Sequence, residues 1–122
     1  KINNVVERLS EGGPQQAPVF SPDGNLVAFV RDNNIFLIKT HFGNSESQVT
    51  EDGKFNQVLN GIPDWVYEEE FSFNSAIEFS ADSKMLAFIR WDESEVPSYS
   101  FPLYAGERPR LTEFEKYPGA YT

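Results

Sequence analysis

The chain has 122 residues, which is the size of one small domain or of part of a larger one. Its 19 acidic and 10 basic residues give a formal net charge of −9, which argues against nucleic acid as a partner, because phosphate neutralisation requires clustered Lys and Arg. Cysteine is absent, which excludes disulfides and thiolate metal sites, and no apolar run approaches the ~18 residues of a membrane-spanning helix.

The first predicted elements belong to an internal repeat. Residues 19–31 align with residues 78–90 without a gap, at an offset of 59 residues, and six of the 13 aligned positions are identical. Each copy predicts a strand, a tight turn and a second strand. Residues 21–24 (Ser-Pro-Asp-Gly) have the chemistry of a turn, and residues 26–30 are almost continuously apolar, as in a strand that is buried on both faces.

The elements between and after the two copies follow from shorter signals. Residues 32–34 (Asp-Asn-Asn) predict a turn into a strand at residues 35–38. His41 is the only histidine and lies in a polar stretch, so we interpret it as a surface residue and expect no Ser-His-Asp site within this chain. In the second copy, residues 91–95 occupy the region of the turn, and a last strand is predicted near residues 99–104.

Antiparallel strands that repeat with a turn at a fixed place are typical of β-propeller blades. We therefore predict an all-β fold in which the chain, residues 1–122, is a propeller fragment of about two blades. Residues 14–50 form one blade and residues 55–105 the next. A blade repeat is typically ~40–50 residues long, so an insertion is predicted between residues 48 and 75. A β-sandwich with two similar hairpins is the alternative. Two blades cannot close a ring, so a monomer of this length should be only marginally stable.

Within the predicted insertion, residues 64–71 (DWVYEEEF) indicate a short acidic helix. The preceding residues, 60–63 (NGIP), carry the Gly and Pro of a turn. Asp64 predicts the N-cap, and acidic residues suit the first turn of a helix. Trp65 and Tyr67 are predicted to anchor the helix to the sheet by burying their rings.

Three adjacent carboxylates, Glu68, Glu69 and Glu70, mark this helix as a candidate binding site. Successive residues of a helix point ~100° apart, so all three cannot face one ligand, although two of them can converge. A pair of carboxylates suits a primary ammonium, which has three donors and one positive charge. A solvated acidic face is the alternative. A Ca²⁺ site is a further one, although the spacing D-x-[DN]-x-[DN]-G is absent.

These residues resemble the dipeptidyl peptidase IV family of serine exopeptidases. Residues 60–61 and 64–70 carry the most specific part of the resemblance, and residues 91–97 (WDESEVP) and 99–101 (YSF) extend it. The resemblance implies an eight-bladed propeller joined to a C-terminal α/β-hydrolase domain that is absent from this chain. It also implies an enzyme that removes X-Pro or X-Ala dipeptides from peptides with a free N-terminus.

The resemblance also assigns roles. It implies that Glu69 and Glu70 bind the N-terminal ammonium of the substrate, that Glu68 is mainly structural, and that Asp64, Trp65 and Tyr67 support the helix. It places no catalytic residue in this chain, and neither a cofactor nor a metal is expected.

The resemblance further implies a homodimeric parent. The absence of Cys and of Asn-x-Ser/Thr sequons favours a bacterial enzyme that is periplasmic or anchored at the cell surface. A non-catalytic propeller that serves as an interaction module, or an inactive relative of the peptidases, remains the alternative function.

Overall fold

A computed structural model describes residues 6, 8–98, 100–103 and 110–113, and in the last two ranges the description covers the backbone alone. The described residues form mostly antiparallel strands and one short helix, so the predicted all-β fold is confirmed. The elements in chain order are β1 (Gln16–Phe20), β2 (Leu26–Arg31), β3 (Asn34–Lys39), β4 (Ser45–Gln48), β5 (Val58–Asn60), α1 (Trp65–Phe71), β6 (Ile77–Phe79), β7 (Leu86–Phe88), β8 (Arg90–Asp92), β9 (Ser100–Leu103) and β10 (Arg110–Glu113).

The first four strands form one antiparallel sheet in the order β1-β2-β3-β4. Residues 27–30 of β2 are all buried, as their continuous apolar sequence predicts. A two-residue turn joins β2 to β3, with Asp32 at φ 50° and Asn33 at φ 60° between the paired residues Arg31 and Asn34. Positive φ at both central residues belongs to the type I′ hairpin, whose twist matches that of the flanking strands.

The hydrophobic core connects this sheet to the second half of the chain. Its members come from β2, β3, β6 and the segment between β5 and α1. Six buried side chains form it: Ala28, Val30, Ile35, Ile62, Ile77 and Phe79. The segment that leads from β5 into α1 is therefore part of the core that stabilises the first sheet, through Ile62.

In the second half of the chain, β7 and β8 run on almost without interruption but pair with different strands. β7 pairs with β6 and β8 pairs with β5, and only Ile89 separates β7 from β8. The Ile89 N–H donates to the carbonyl of Ala76 (3.1 Å), and the Ile89 carbonyl accepts from the N–H of Gly61 (3.0 Å). The Ala76 N–H in turn donates to the carbonyl of Gly61 (2.9 Å). β5 and β6 thus pair one after the other with the continuous segment formed by β7, Ile89 and β8. Residues 62–75, which we call the excursion, leave the sheet between β5 and β6.

The turns of the two repeat copies have the same hydrogen bonds. The Ser21 hydroxyl donates to Asp23 (2.7 Å), and the Ser80 hydroxyl donates to Asp82 (2.6 Å). Each serine hydroxyl also accepts from the backbone N–H five residues later, at 2.9 Å in both copies. The Asp23 N–H donates to the Ser83 hydroxyl (3.1 Å), so the two turns are in direct contact.

β9 lies in the region where the sequence predicts the last strand, and it pairs with β10 in an antiparallel ladder. Residues 99 and 104, which bound that prediction, lie outside the described residues, as does the predicted blade end at residue 105. In the described part of the chain, no helix has the length and apolar character needed to cross a membrane.

Candidate functional site

The excursion lies within residues 48–75, where the repeat length predicts an insertion, and its helix is capped at both ends. The Asp64 carboxylate accepts from the backbone N–H of Tyr67 (2.8 Å), so the predicted N-cap is present. At the other end Ser72 adopts a left-handed conformation, with φ 56°, and its N–H donates to the carbonyl of Glu68 (3.0 Å). These bonds satisfy backbone groups that a helix leaves open at its termini.

The base of the excursion is fixed to the first sheet. Asn60 is fully buried, and its backbone and side-chain N–H groups donate to the carbonyl of Asn33, at 3.1 and 3.2 Å. The Asn60 amide also donates to Asp52 (2.8 Å). Next to it, Gly61 has φ 75°, and a Cβ there would lie 2.7 Å from Cγ1 of Ile77. The chain can therefore leave the sheet at this point only through a glycine.

A polar network holds one face of β8. The Arg90 guanidinium donates to Asp52 (2.7 Å) and to Asp92 (3.2 Å), and Asp92 also accepts from the N–H (3.1 Å) and hydroxyl (2.7 Å) of Ser94. The hydrogen bond from Arg90 holds the pKa of Asp52 below its usual range. The hydroxyl of Ser94 does the same for the pKa of Asp92. Because side chains alternate along a strand, Trp91 points to the opposite face from this network.

An aromatic cluster joins the flank of α1 to β8. The Tyr67 ring lies 5.2 Å from Phe71, 6.1 Å from Phe73 and 5.8 Å from Trp91, as measured between ring centroids. The prediction that Trp65 and Tyr67 bury their rings is wrong, since 38% and 39% of these residues remain exposed. The helix lies on the surface of the sheet and buries none of its seven residues fully, so it packs through the edges of rings.

The three glutamates of α1 do not share one environment. Glu68 lines a cleft of about 470 Å³ beside Asp64 and Trp65, whereas Glu69 and Glu70 are not among the side chains that line it. All three glutamates are exposed, and no described Lys or Arg forms an ion pair with any of them. The helix therefore presents negative charge that the described part of the chain leaves without a cationic partner.

Sequence reasoning did not identify Phe73 and Trp91 as parts of this site. Trp91 occupies the turn region of the second repeat copy in the sequence, but in the structure it belongs to β8. An apolar aromatic residue between Arg90 and Asp92 was the available signal, because such alternation is typical of a strand with two different faces. Within the described ranges, no group of three or more His, Asp or Glu side chains is placed to hold a metal ion.

Comparison with known proteins gives consistent matches along the chain. The family model for the dipeptidyl peptidase IV (DPP IV) N-terminal region matches residues 1–122. The chain is 41% identical, over 97% of its length, to a probable dipeptidyl-aminopeptidase B of Pyrenophora tritici-repentis. It is 43% identical, over 77% of its length, to a probable dipeptidyl peptidase 4 of Aspergillus fumigatus. The chain spans only 14% and 12% of the lengths of these two relatives.

A solved structure agrees with these matches. The crystal structure of Porphyromonas gingivalis dipeptidyl peptidase 4 superimposes on 90% of this chain with a TM-score of 0.81 and 54% sequence identity. The aligned part is 16% of that protein's chain. The similarity therefore covers nearly the whole of this chain and a small part of each relative.

Proposed function

Since the chain belongs to the dipeptidyl peptidase IV family and corresponds to its N-terminal region, we propose that it holds the N-terminus of a peptide substrate. In this proposal Glu69 and Glu70 bind the α-ammonium of the peptide. A serine-type α/β-hydrolase domain elsewhere in the same protein then releases an X-Pro or X-Ala dipeptide.

The observation that carries the proposal is the unpaired charge of a helix whose ends are fixed. Glu69 and Glu70 are exposed and have no ion-pair partner among the described residues. The cap at Asp64 and the hydrogen bonds between Gly61, Ala76 and Ile89 hold the helix to the sheet. A primary ammonium brings three N–H donors and one positive charge, which two carboxylates can accept together.

The same arrangement accounts for the release of a dipeptide. A substrate whose ammonium is held at a fixed place presents one particular peptide bond to a nucleophile at a fixed distance. Proximity and orientation of this kind supply part of the rate enhancement. A blocked N-terminus lacks the charge and leaves the two carboxylates uncompensated, so an acetylated peptide should be a poor substrate.

Glu68 and Asp64 have other roles in this proposal. Glu68 lines the cleft beside Trp65, which Glu69 and Glu70 do not line, and the Asp64 carboxylate accepts a hydrogen bond from the N–H of Tyr67. Both residues, with Trp65 and Tyr67, therefore support the helix. We extend the proposal to the whole protein as a bacterial, extracytoplasmic homodimer that needs neither cofactor nor metal at this site.

The test uses the intact protein and two chromogenic X-Pro substrates, one with a free amine and the other N-acetylated. Glu69→Gln and Glu70→Gln are each expected to lower kcat/KM for the free amine by about 10- to 100-fold, because a charge-assisted hydrogen bond contributes about 1.5–3 kcal/mol. Glu68→Gln is the matched control and should change kcat/KM less than threefold. Circular dichroism and Tm verify that each variant is folded.

Two results would contradict the proposal in different ways. A folded Glu69→Gln/Glu70→Gln double variant with normal turnover of the free amine would exclude the ammonium site. If the unmodified protein cleaves neither substrate, the propeller belongs to an interaction module or to an inactive relative.

A further inference from the structure

One part of the second repeat copy has no role in the proposed function. Residues 91–97 begin within β8 and contribute to the family resemblance, and the first of them, Trp91, contacts Tyr67 of the helix that bears the glutamates. Trp91 pairs with Leu59 in the ladder between β5 and β8, so its backbone is fixed by the sheet. Its ring therefore offers α1 a contact surface whose position the sheet determines.

The helix needs such a contact because its own stability is small. Two turns of helix are too short to be stable alone in water, and α1 has no fully buried side chain. The cap at Asp64 and the hydrogen bonds at the base hold the ends of the excursion. These contacts act at the ends of the excursion, and the rotation of the helix about its own axis also depends on the packing of its flank.

The flank contact is the Tyr67 ring against Trp91, at a centroid distance of 5.8 Å and an interplanar angle of 66°. An edge-to-face pair of this kind has a preferred geometry, unlike a contact between aliphatic side chains. Tyr67 precedes Glu70 by three residues, which places the two side chains on adjacent parts of the helix surface. Any rotation that breaks the ring contact therefore also turns Glu69 and Glu70.

We propose that Trp91 is a positioning residue for the ammonium site: its indole holds Tyr67 and so fixes the rotation of α1 at which Glu69 and Glu70 face the same ligand. The proposal rests on the proposed function of these two glutamates. The polar network of Arg90 and Asp92 on the opposite face of β8 prevents the strand from turning with the helix.

The test compares Trp91→Leu and Trp91→Phe in the intact protein with the free-amine and acetylated X-Pro substrates. Trp91→Leu is expected to lower kcat/KM for the free amine by about 10- to 100-fold, mainly through KM, because a small misplacement of a binding group has effects of this size. The acetylated substrate should be affected less than threefold. Trp91→Phe keeps an aromatic ring at this position and should therefore retain most of the kcat/KM of the unmodified protein for the free amine.

A double-variant cycle identifies the pathway of the effect. In the Glu69→Gln/Glu70→Gln background, Trp91→Leu should have no further effect on the free amine, because the groups that it positions are already absent. Phe36→Leu removes a ring from the first sheet, on β3, and serves as the control for a general loss of aromatic packing. If Trp91→Leu reduces the yield of folded protein, Tyr67→Leu removes the same contact from the helix side and should give the same result.

Equal losses for the free and acetylated substrates, or a full additional loss in the glutamine background, would overturn the role of Trp91 and leave it a packing residue. A failure of the proposed function looks different. In that case Glu69→Gln and Glu70→Gln would themselves leave the preference for the free amine unchanged, and the role of Trp91 would be rejected together with it.

Discussion

The two copies of the repeat have nearly identical turns and very different surroundings. Both turns place a serine and an aspartate in the same hydrogen bonds, with distances that agree to about 0.1 Å for the serine-to-aspartate bond. Phe29 in the first copy is 1% exposed, whereas its counterpart Phe88 is 39% exposed. Val30 and its counterpart Ile89 differ even more, at 0% and 53%. The turn is thus encoded locally, whereas burial depends on what the following strand pairs with.

The difference in pairing has an identifiable origin. β2 lies between β1 and β3; it pairs with β3 along its whole length and with β1 on its other side, with one irregularity in the register between Gln16 and Val19. In the second copy, β7 pairs with β6 and β8 pairs with β5, because the excursion leaves the sheet between β5 and β6. The candidate site is therefore found where the second copy departs from the regularity of the first.

The largest expected effect on stability comes from replacing Phe29 and its counterpart Phe88 with alanine. Phe29→Ala in the intact protein should lower the free energy of unfolding by about 3–5 kcal/mol, because it empties a fully buried position. Phe88→Ala should cost less than half of this, because Phe88 already contacts solvent. Denaturant unfolding of both variants gives the two values. Equal losses would show that the second copy is as tightly packed as the first.

A second test acts on the point where the copies diverge. Gly61→Ala places a Cβ 2.7 Å from Ile77 at a positive φ, so it should cost about 1–3 kcal/mol. Because the base of the helix moves, it should also lower kcat/KM for a free-amine substrate in the intact protein. Gly13→Ala is the control, since nothing lies within 4 Å of its Cβ. A fully active and stable Gly61→Ala variant would contradict the fixed base.

A smaller effect is expected from the last of the two positions at which the turns at residues 21–24 and 80–83 differ in residue type. Gly24 has φ 75° with open space around it, and Ser83 has φ 59° at the equivalent place. Gly24→Ala should cost about 1–2 kcal/mol. Ser83→Ala and Ser83→Gly both lose the bond to Asp23, but only glycine relieves the backbone. Ser83→Gly should therefore be the more stable of the two by about 1 kcal/mol in thermal unfolding.

The smallest effect concerns pH. The hydroxyl of Ser21 and that of Ser80 are the main causes that hold the pKa of Asp23 and of Asp82 below the usual range. Each carboxylate thus stabilises the fold fully above its unfolded pKa, and the contribution is lost as the pH falls through the lower folded pKa.

Carboxyl titration by NMR should show both aspartates below the ordinary value of about 3.9. Ser21→Ala should raise the pKa of Asp23 alone, and Ser80→Ala that of Asp82 alone. If either aspartate titrates at its ordinary value, the two turns are not equivalent in solution.

Much of this architecture could be predicted from the sequence, because it depends on local chemistry. The turn residues, the buried strand β2 and the N-cap at Asp64 each follow from a few neighbouring positions. β4 (Ser45–Gln48) was not predicted, because its four residues are all exposed and show no apolar alternation. An edge strand of this kind depends on hydrogen bonds to β3 instead of on side-chain burial.

The residues of the candidate helix could be predicted from the sequence, but their spatial arrangement could be predicted only in part. The acidic helix and its cap could be identified, but the pairing of Ile89 with both Gly61 and Ala76 joins positions far apart in the chain, which no local pattern reveals. Two further features also depend on tertiary structure: the exposure of Trp65 and Tyr67, and the contact between Tyr67 and Trp91. Both depend on where β8 lies relative to α1, which no local pattern in the sequence specifies.

The shared pairing position at the base of the excursion has a consequence for how such a site can change over time. Gly61 and Ala76 are joined by a hydrogen bond and meet the same residue, so the sheet keeps its register whatever lies between them. The closure entropy of a segment grows only slowly with its length. Residues that follow the buried Ile62 can therefore be added or removed at little cost to the stability of the sheet, which makes this point a suitable junction for transplanting a different recognition element onto the same scaffold.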